Sequence, residues 1–178
     1  MAWKATVRPD LPPEPEAPAE WTPSAPIAAI GLLGWLVLTF LAPAAGFAAR
    51  PGEWYDALEK PSWHPPAWVF GPVWTTLYLL MAVAAWLVWR RGGWAARKRP
   101  LGLNLLQLAL NAAWTPVFFG MQSLGLALVV ILLLLTAIVA TLKAFSSVHR
   151  TAAGLLVPYL LWVNFATVLN LTLWFLNR

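Results

Sequence analysis

LALVVILLLLTAIVA, residues 126–140, is apolar on every face of any helix it forms. A helix that packs on a soluble core shows one apolar stripe and one polar stripe, so a segment with no polar stripe needs an apolar solvent around it. Backbone groups in lipid must be satisfied within the segment, and the alternating strands of a membrane barrel are absent, so helix is the default. Working outward, this run sits in a stretch of roughly 124–145, and four others resemble it: roughly 27–49, 67–89, 101–119 and 152–175. As helices, all five are long enough to cross a hydrocarbon core of about 30 Å. The predicted fold is an all-α integral membrane protein, a bundle of five transmembrane helices.

Breakers punctuate the pattern. Arg50-Pro51-Gly52 closes the first stretch, Gly92-Gly93 follows the second, and Pro100 suits the first turn of the third. Pro43, Pro72, Pro116 and Pro158 fall inside spans, where neighbouring helices absorb a lost hydrogen bond. Residues 1–26 hold seven of the 16 prolines and four of the seven acids, which predicts a Pro-rich acidic tail with too little to bury to order itself. No basic region abuts a short apolar core there, so it does not read as a secretory signal. There is no internal repeat.

Composition excludes several chemistries. The chain is 60% hydrophobic and 11% charged, against about 25% charged in soluble domains. All seven acids fall at or before Glu59, and there is no Cys. A carboxylate pair in the main body, thiol chemistry, disulfides and a His/Cys zinc site are thereby ruled out; a lone His64 makes no metal centre, so no metal is expected. A net charge of +5 on so apolar a chain marks topology rather than nucleic-acid binding. The tail, the 90–100 loop and the 143–151 turn would share one face with nine basic residues; the other face has Arg50, Lys60 and Arg178. Nine against three predicts a cytoplasmic N-terminus and an exterior 50–66 loop and C-terminus. The expected setting is a bacterial inner membrane, with the outer membrane as the alternative.

Depth follows at about 1.5 Å per residue. Trp74 lies roughly 10 Å inside the exterior end of the second helix, with Tyr78 one turn further on the same face. On the third helix Asn104, Gln107, Asn111 and Thr115 make one polar stripe, with Trp114 a turn above Asn111. The fifth brings Tyr159, Trp162, Ala166 and Asn170 into line, and the first offers the smaller Thr39, Ala42 and Gly46. Aromatic, amide and small groups thus converge at one depth, which suits a flat, largely apolar ligand. Taken singly, each amide also suits interhelical hydrogen bonding. Trp63, Trp68, Trp86, Trp89 and Trp94, near span ends, suit an interfacial belt.

The 50–66 loop, RPGEWYDALEKPSWHPP, is long for a helix hairpin, and long ordered loops are usually lids or binding elements. Glu53, Asp56, Glu59 and His64 are the acid–base candidates of the membrane part. Glu59 beside Lys60 reads as a surface pair, and His64 as an exposed loop residue with axial haem ligation as a weaker alternative.

With WYDALEKPSWHPP at 54–66 followed by Trp74, QLALNAAWTPVFFG at 107–120 and VPYLLWVNFATVLN at 157–170, the chain resembles the TspO/MBR family over residues 27–178. These are the tryptophan-rich sensory proteins, related to the mitochondrial translocator protein. The resemblance implies a bacterial member: a five-helix bundle, usually a homodimer, whose pocket is capped by the first loop and takes porphyrins such as protoporphyrin IX, or haem, as ligand, with no cofactor required. Carried over by position, the implied ligand-binding residues are Trp54, Tyr55, Trp74, Tyr78, Asn111, Trp114, Trp162, Ala166 and Leu169, with Trp63, His64, Pro65 and Pro66 in the lid. Trp74 and Trp162 match the pair linked in the family to light-dependent porphyrin breakdown. Cholesterol binding is not expected, because Leu171 and Thr172 stand where aromatics would, and no Tyr lies shortly before Arg178.

Three functions follow as expectations: a membrane-embedded tetrapyrrole sensor or carrier first, a light-dependent porphyrin-degrading enzyme using Trp74 and Trp162 second, and an assembly subunit of a larger membrane complex third. The small residues Gly102, Ala109 and Ala113 allow close helix approach, whether in a homodimer or in such a complex. No ionisable residue within the spans marks an ion-coupled transporter.

Overall fold

Pro65-Pro66 removes two successive amide donors and biases His64 and Pro65 away from the helical region, so the second apolar helix can start only afterwards. In the computed structural model, which describes residues 21–46 and 52–178, that helix is α3, Ala67–Trp89. Gly92 and Gly93 end it, with φ of 139° and 66° that side chains with a Cβ rarely adopt. Before it come α1, Ala25–Leu41, a 3₁₀ turn over Ala42–Gly46, and the short α2, Glu53–Ala57. After it come α4, Gly93–Thr115, a single π-helical turn over Pro116–Gly120, α5, Leu124–Ser146, α6, Arg150–Leu155, and α7, Val157–Leu176. Among the described residues every regular element is helical. Residues 1–20 of the expected tail, and Arg50-Pro51 of the loop, lie outside the described residues.

Four helical segments are long and apolar enough to cross a bilayer: Ala25–Ala44, Ala67–Trp89, Leu124–Ser146 and Arg150–Leu176. The stretch expected as a fifth span, 101–119, lies mostly in α4 and is not among them. Arg97, Lys98 and Arg99 load its first turns, and Asn104, Gln107 and Asn111 follow. Those three amides are buried, so the polar content of α4 past its first turns faces its neighbours.

Expected and observed bounds differ where proline acts. Residues 67–89 agree end to end. The first helix starts at Ala25, with Pro26 in its first turn, and gives way to the 3₁₀ turn at Ala42-Pro43. The last span is broken at Leu156, because Pro158 cannot donate to the preceding turn. The third begins eight residues earlier than expected, in a short turn that kinks at Arg97 (φ −120°, ψ 20°), where Arg97 Nε donates to the Arg91 carbonyl at 2.8 Å. Only Pro72 sits inside an unbroken apolar helix.

Around the bundle, α1 packs on α3, α3 on α4 and α6, α4 on α5, and α5 on α6 and α7; the 3₁₀ turn closes the ring against α4. The end carrying Arg90, Arg91 and Arg97 to Arg99 is tightly filled. Met81, Ala82, Ala84, Ala85 and Val88 of α3 are all fully buried, as are Leu101 of α4 and Phe145 of α5. Trp86 Nε1 donates to the Ala28 carbonyl at 2.8 Å, and Trp21 meets Trp89 edge-on at 5.3 Å. A Cβ on Gly31 would fall within van der Waals overlap of the Trp89 ring, so the close approach of α1 and α3 requires glycine there. Outward-facing Ile30, Leu33, Val37, Val129, Leu133 and Leu161 are exposed, which an aqueous surface would not tolerate as one continuous belt and hydrocarbon does.

Candidate functional site

Toward the other end the helices part around a cavity of about 560 Å³, well within the range of small-molecule sites. Its deep wall is a hydrogen-bonded trio from three helices: Tyr78 donates to Asn111 Oδ1 at 2.8 Å, and Asn111 Nδ2 donates to Tyr159 Oη at 3.1 Å. Helix periodicity brings this about, since Tyr78 and Asn111 lie on the inward stripes of α3 and α4, and the fully buried Tyr159 meets them from α7. With both its polar atoms engaged, Asn111 is a fixed strut. Deeper still, Gln107 Nε2 donates to Asn104 Oδ1 at 3.2 Å. Asn104 Nδ2, Gln107 Oε1 and Thr39 Oγ1 are buried without a partner among the described residues.

Above the trio the walls are aromatic. Trp74 stacks on Tyr78 (5.4 Å, 28°) and meets Tyr159 edge-on at 6.2 Å. Trp162 is set edge-on to Phe70 at 5.8 Å and rests on Phe165 at 5.4 Å. Trp114 packs on Phe118 at 4.7 Å, and its Nε1 donates to Asn170 Oδ1 at 3.3 Å, while Asn170 Nδ2 donates to the Leu124 carbonyl at 3.0 Å. Of the three cavity indoles, that of Trp114 donates to Asn170, while those of Trp74 and Trp162 have no hydrogen-bond partner among the described residues.

The lid is held from two sides. Tyr55 sits edge-on to Phe118 and Phe119, and its hydroxyl is 2.6 Å from His64 Nε2. Lys60 Nζ donates to the carbonyls of Asp56 and Leu58 and lies 4.8 Å over the Tyr55 ring, so it caps α2 and the expected pairing with Glu59 is replaced by these contacts. Asn177 then pins the lid to the end of α7: its Oδ1 accepts from the Glu59 amide at 2.9 Å and its Nδ2 donates to the Glu59 carbonyl at 3.0 Å. Burial first, and Lys60 second, hold His64 below the usual imidazole pKa, while burial first, and Asp56 second, push the Tyr55 phenol up. Both side chains are therefore neutral near pH 7.

Eight of the nine residues carried over by resemblance line this one cavity: Tyr55, Trp74, Tyr78, Asn111, Trp114, Trp162, Ala166 and Leu169. Trp54 stands one layer back, edge-on to Phe118 at 6.0 Å, because adjacent helical residues point about 100° apart and Tyr55 takes the inward direction. His64 lines the cavity, contrary to its reading as an exposed residue, whereas Trp63 is exposed and lies against Phe165. Trp68 and Trp94 are exposed as a belt requires, while Trp86 and Trp89 pack between helices. Ala109 and Ala113 are exposed and Gly102 half-buried, on the outer side of α4.

Sequence reasoning missed Phe118 and Phe119, and Ile131 and Leu134 of α5. The π turn, closed by Met121 N donating to the Pro116 carbonyl at 2.9 Å, shifts the helical phase and turns both Phe inward. Pro116 was the available signal. For α5 there was none, since a helix apolar all round does not announce its inner face. Among the described residues no three His, Cys or acidic side chains converge in a way that could hold a metal ion.

The TspO/MBR family profile matches residues 25–175. The human translocator protein is 48% identical over 149 residues, covering 74% of this chain and 88% of that protein. A tryptophan-rich sensory protein of Cereibacter sphaeroides is 46% identical over 76% of this chain and 87% of its own length, and the tryptophan-rich protein TspO of Chlorobaculum tepidum 47% over 74% and 84%.

Proposed function

The chain belongs to the TspO/MBR family of helical membrane proteins, and from that premise we propose that it is a sensor or carrier of a flat, largely apolar ligand of the tetrapyrrole class, protoporphyrin IX or haem. The observation that carries the reading is the lidded cavity of about 560 Å³ with Trp74 and Trp162 in its walls and Asp56, in the lid, as the one acidic residue among its described lining. Stacking and edge contacts with the indoles would supply the affinity, and their free N–H groups the orientation. In this reading α4 is the fifth span, its amides shielded by the bundle, and the basic end faces the cytoplasm of a bacterial inner membrane. The small outer face of Gly102, Ala109 and Ala113 is the homodimer contact.

Saturable quenching of tryptophan fluorescence by protoporphyrin IX tests it. Trp74→Ala with Trp162→Ala should weaken binding about tenfold or more, since each aromatic contact of this kind is worth about 0.5–1.5 kcal/mol beyond its area. Quenching that survives the double variant unchanged would place the ligand elsewhere. Bleaching under light that yields a defined product and is lost in either variant would move the reading from carrier to enzyme.

A further inference from the structure

We propose that the ligand reaches the cavity sideways from the lipid phase, by way of a second binding site between α3 and α7, with Trp162 as the partition it passes. This rests on the ligand reading above and adds an outer site and a route to it.

The outer site is an open groove of about 560 Å³, lined by Val73, Thr76 and Leu77 from α3 and by Pro158, Leu161 and Phe165 from α7. Its one hydroxyl is already spent, Thr76 Oγ1 donating to the Pro72 carbonyl at 2.9 Å. Such a lining offers a guest apolar surface only, which suits the planar ring of a flat apolar ligand held in hydrocarbon. Trp162 lines both the groove and the cavity, so one indole stands between them.

The seam is also thinly packed. At the basic end α3 packs along α6, but it meets α7 over only a short stretch. Pro72 and Pro158 border the groove: Pro72 leaves a missing backbone bond inside α3, and Pro158 follows the break between α6 and α7 at Leu156. The lid, by contrast, is tied by the two Asn177–Glu59 hydrogen bonds, the Tyr55–His64 bond and the Tyr55 contacts with Phe118 and Phe119. Opening it breaks all of these together; opening the seam asks for a rotation of Trp162 away from Phe70 and Phe165.

A portal acts on both directions of passage equally, so obstructing it slows binding and release alike and leaves Kd alone. Leu161 is 64% exposed and Thr76 is exposed, and neither lines the cavity. The test uses the full chain in phosphatidylcholine vesicles, mixed with vesicles preloaded with protoporphyrin IX and followed by tryptophan quenching in stopped flow. Leu161→Trp with Thr76→Phe should lower kon and koff together by about tenfold, Leu161→Ala should raise both, and Asn177→Ala should leave kon within about twofold. Rates indifferent to the groove variants, or a kon that rises about tenfold in Asn177→Ala, would make the lid the route and overturn the proposal. Absence of saturable quenching in the unsubstituted protein would sink the ligand reading itself, an outcome visible before any variant is compared.

Discussion

The two halves of α3 belong to one unbroken helix and differ in nearly everything else. From Phe70 to Tyr78 it turns large rings toward a void and holds them with a tyrosine–amide–tyrosine trio. From Met81 to Val88 it buries small side chains so completely that α1, α4 and α6 leave no space. Helix propensity cannot explain the contrast, since both halves are helical. What decides is side-chain volume: small residues let backbones close up, while rings set edge-on hold them apart. The basic end is close-packed, and the lid end keeps a cavity.

That division can be broken at either end. The largest effect is expected from Phe145→Ala, which empties a fully buried position at the basic end and should cost about 3 kcal/mol or more, read as a fall in thermal midpoint. Trp162→Ala, in the cavity wall, should cost clearly less stability while weakening ligand binding; equal losses of stability at the two sites would erase the distinction. Gly31→Ala comes next. Its methyl would have to displace the Trp89 ring from Trp21, an overpacking cost of about 1–3 kcal/mol with ligand binding untouched. A neutral Gly31→Ala would mean that the basic end is not close-packed.

The smallest effect tests the lid. His64 has its pKa lowered by burial and by Lys60, so the closed lid binds its proton less readily than an open one. Closure is then at full strength above the ordinary imidazole pKa of 6.5 and weakens as pH falls below it toward the lowered value. Asp56 and Tyr55, the other groups around this imidazole, do not reverse the sign: Tyr55 stays a neutral phenol, and Lys60 adds positive charge. Ligand release should quicken as pH falls from 7 to 5, and His64→Gln should flatten that profile. A profile unchanged by the substitution would remove His64 from the lid's closure.

Much of this contrast was legible in the sequence, though unevenly. The stripe of Asn104, Gln107, Asn111 and Thr115 marked the inner face of α4 because polar groups in a span have only one favourable direction to point. The 67–89 helix was bounded by Pro66 and Gly92, whose backbone constraints are local and so written in the chain. Gly93 read as a breaker, yet it starts α4, because a positive φ at that glycine turns the chain straight into the next helix. Ile131 and Leu134 became visible only through packing, which no local pattern encodes. Trp54 illustrates the reverse error: a motif supplies neighbours in sequence, and the helix then separates their directions.

The π turn at Pro116–Gly120 carries a consequence for how this fold tolerates changes of length. A turn that already holds one residue more than an α-helical turn is slack built into the backbone between α4 and α5. Losing a residue there would tighten the turn and swing Phe118 and Phe119 away from Tyr55, and the start of α5 would follow, because the Ser123 amide donates to the Val117 carbonyl at 3.4 Å. The reach of the cavity roof is thus set by one turn of backbone, the same turn from which α5 begins.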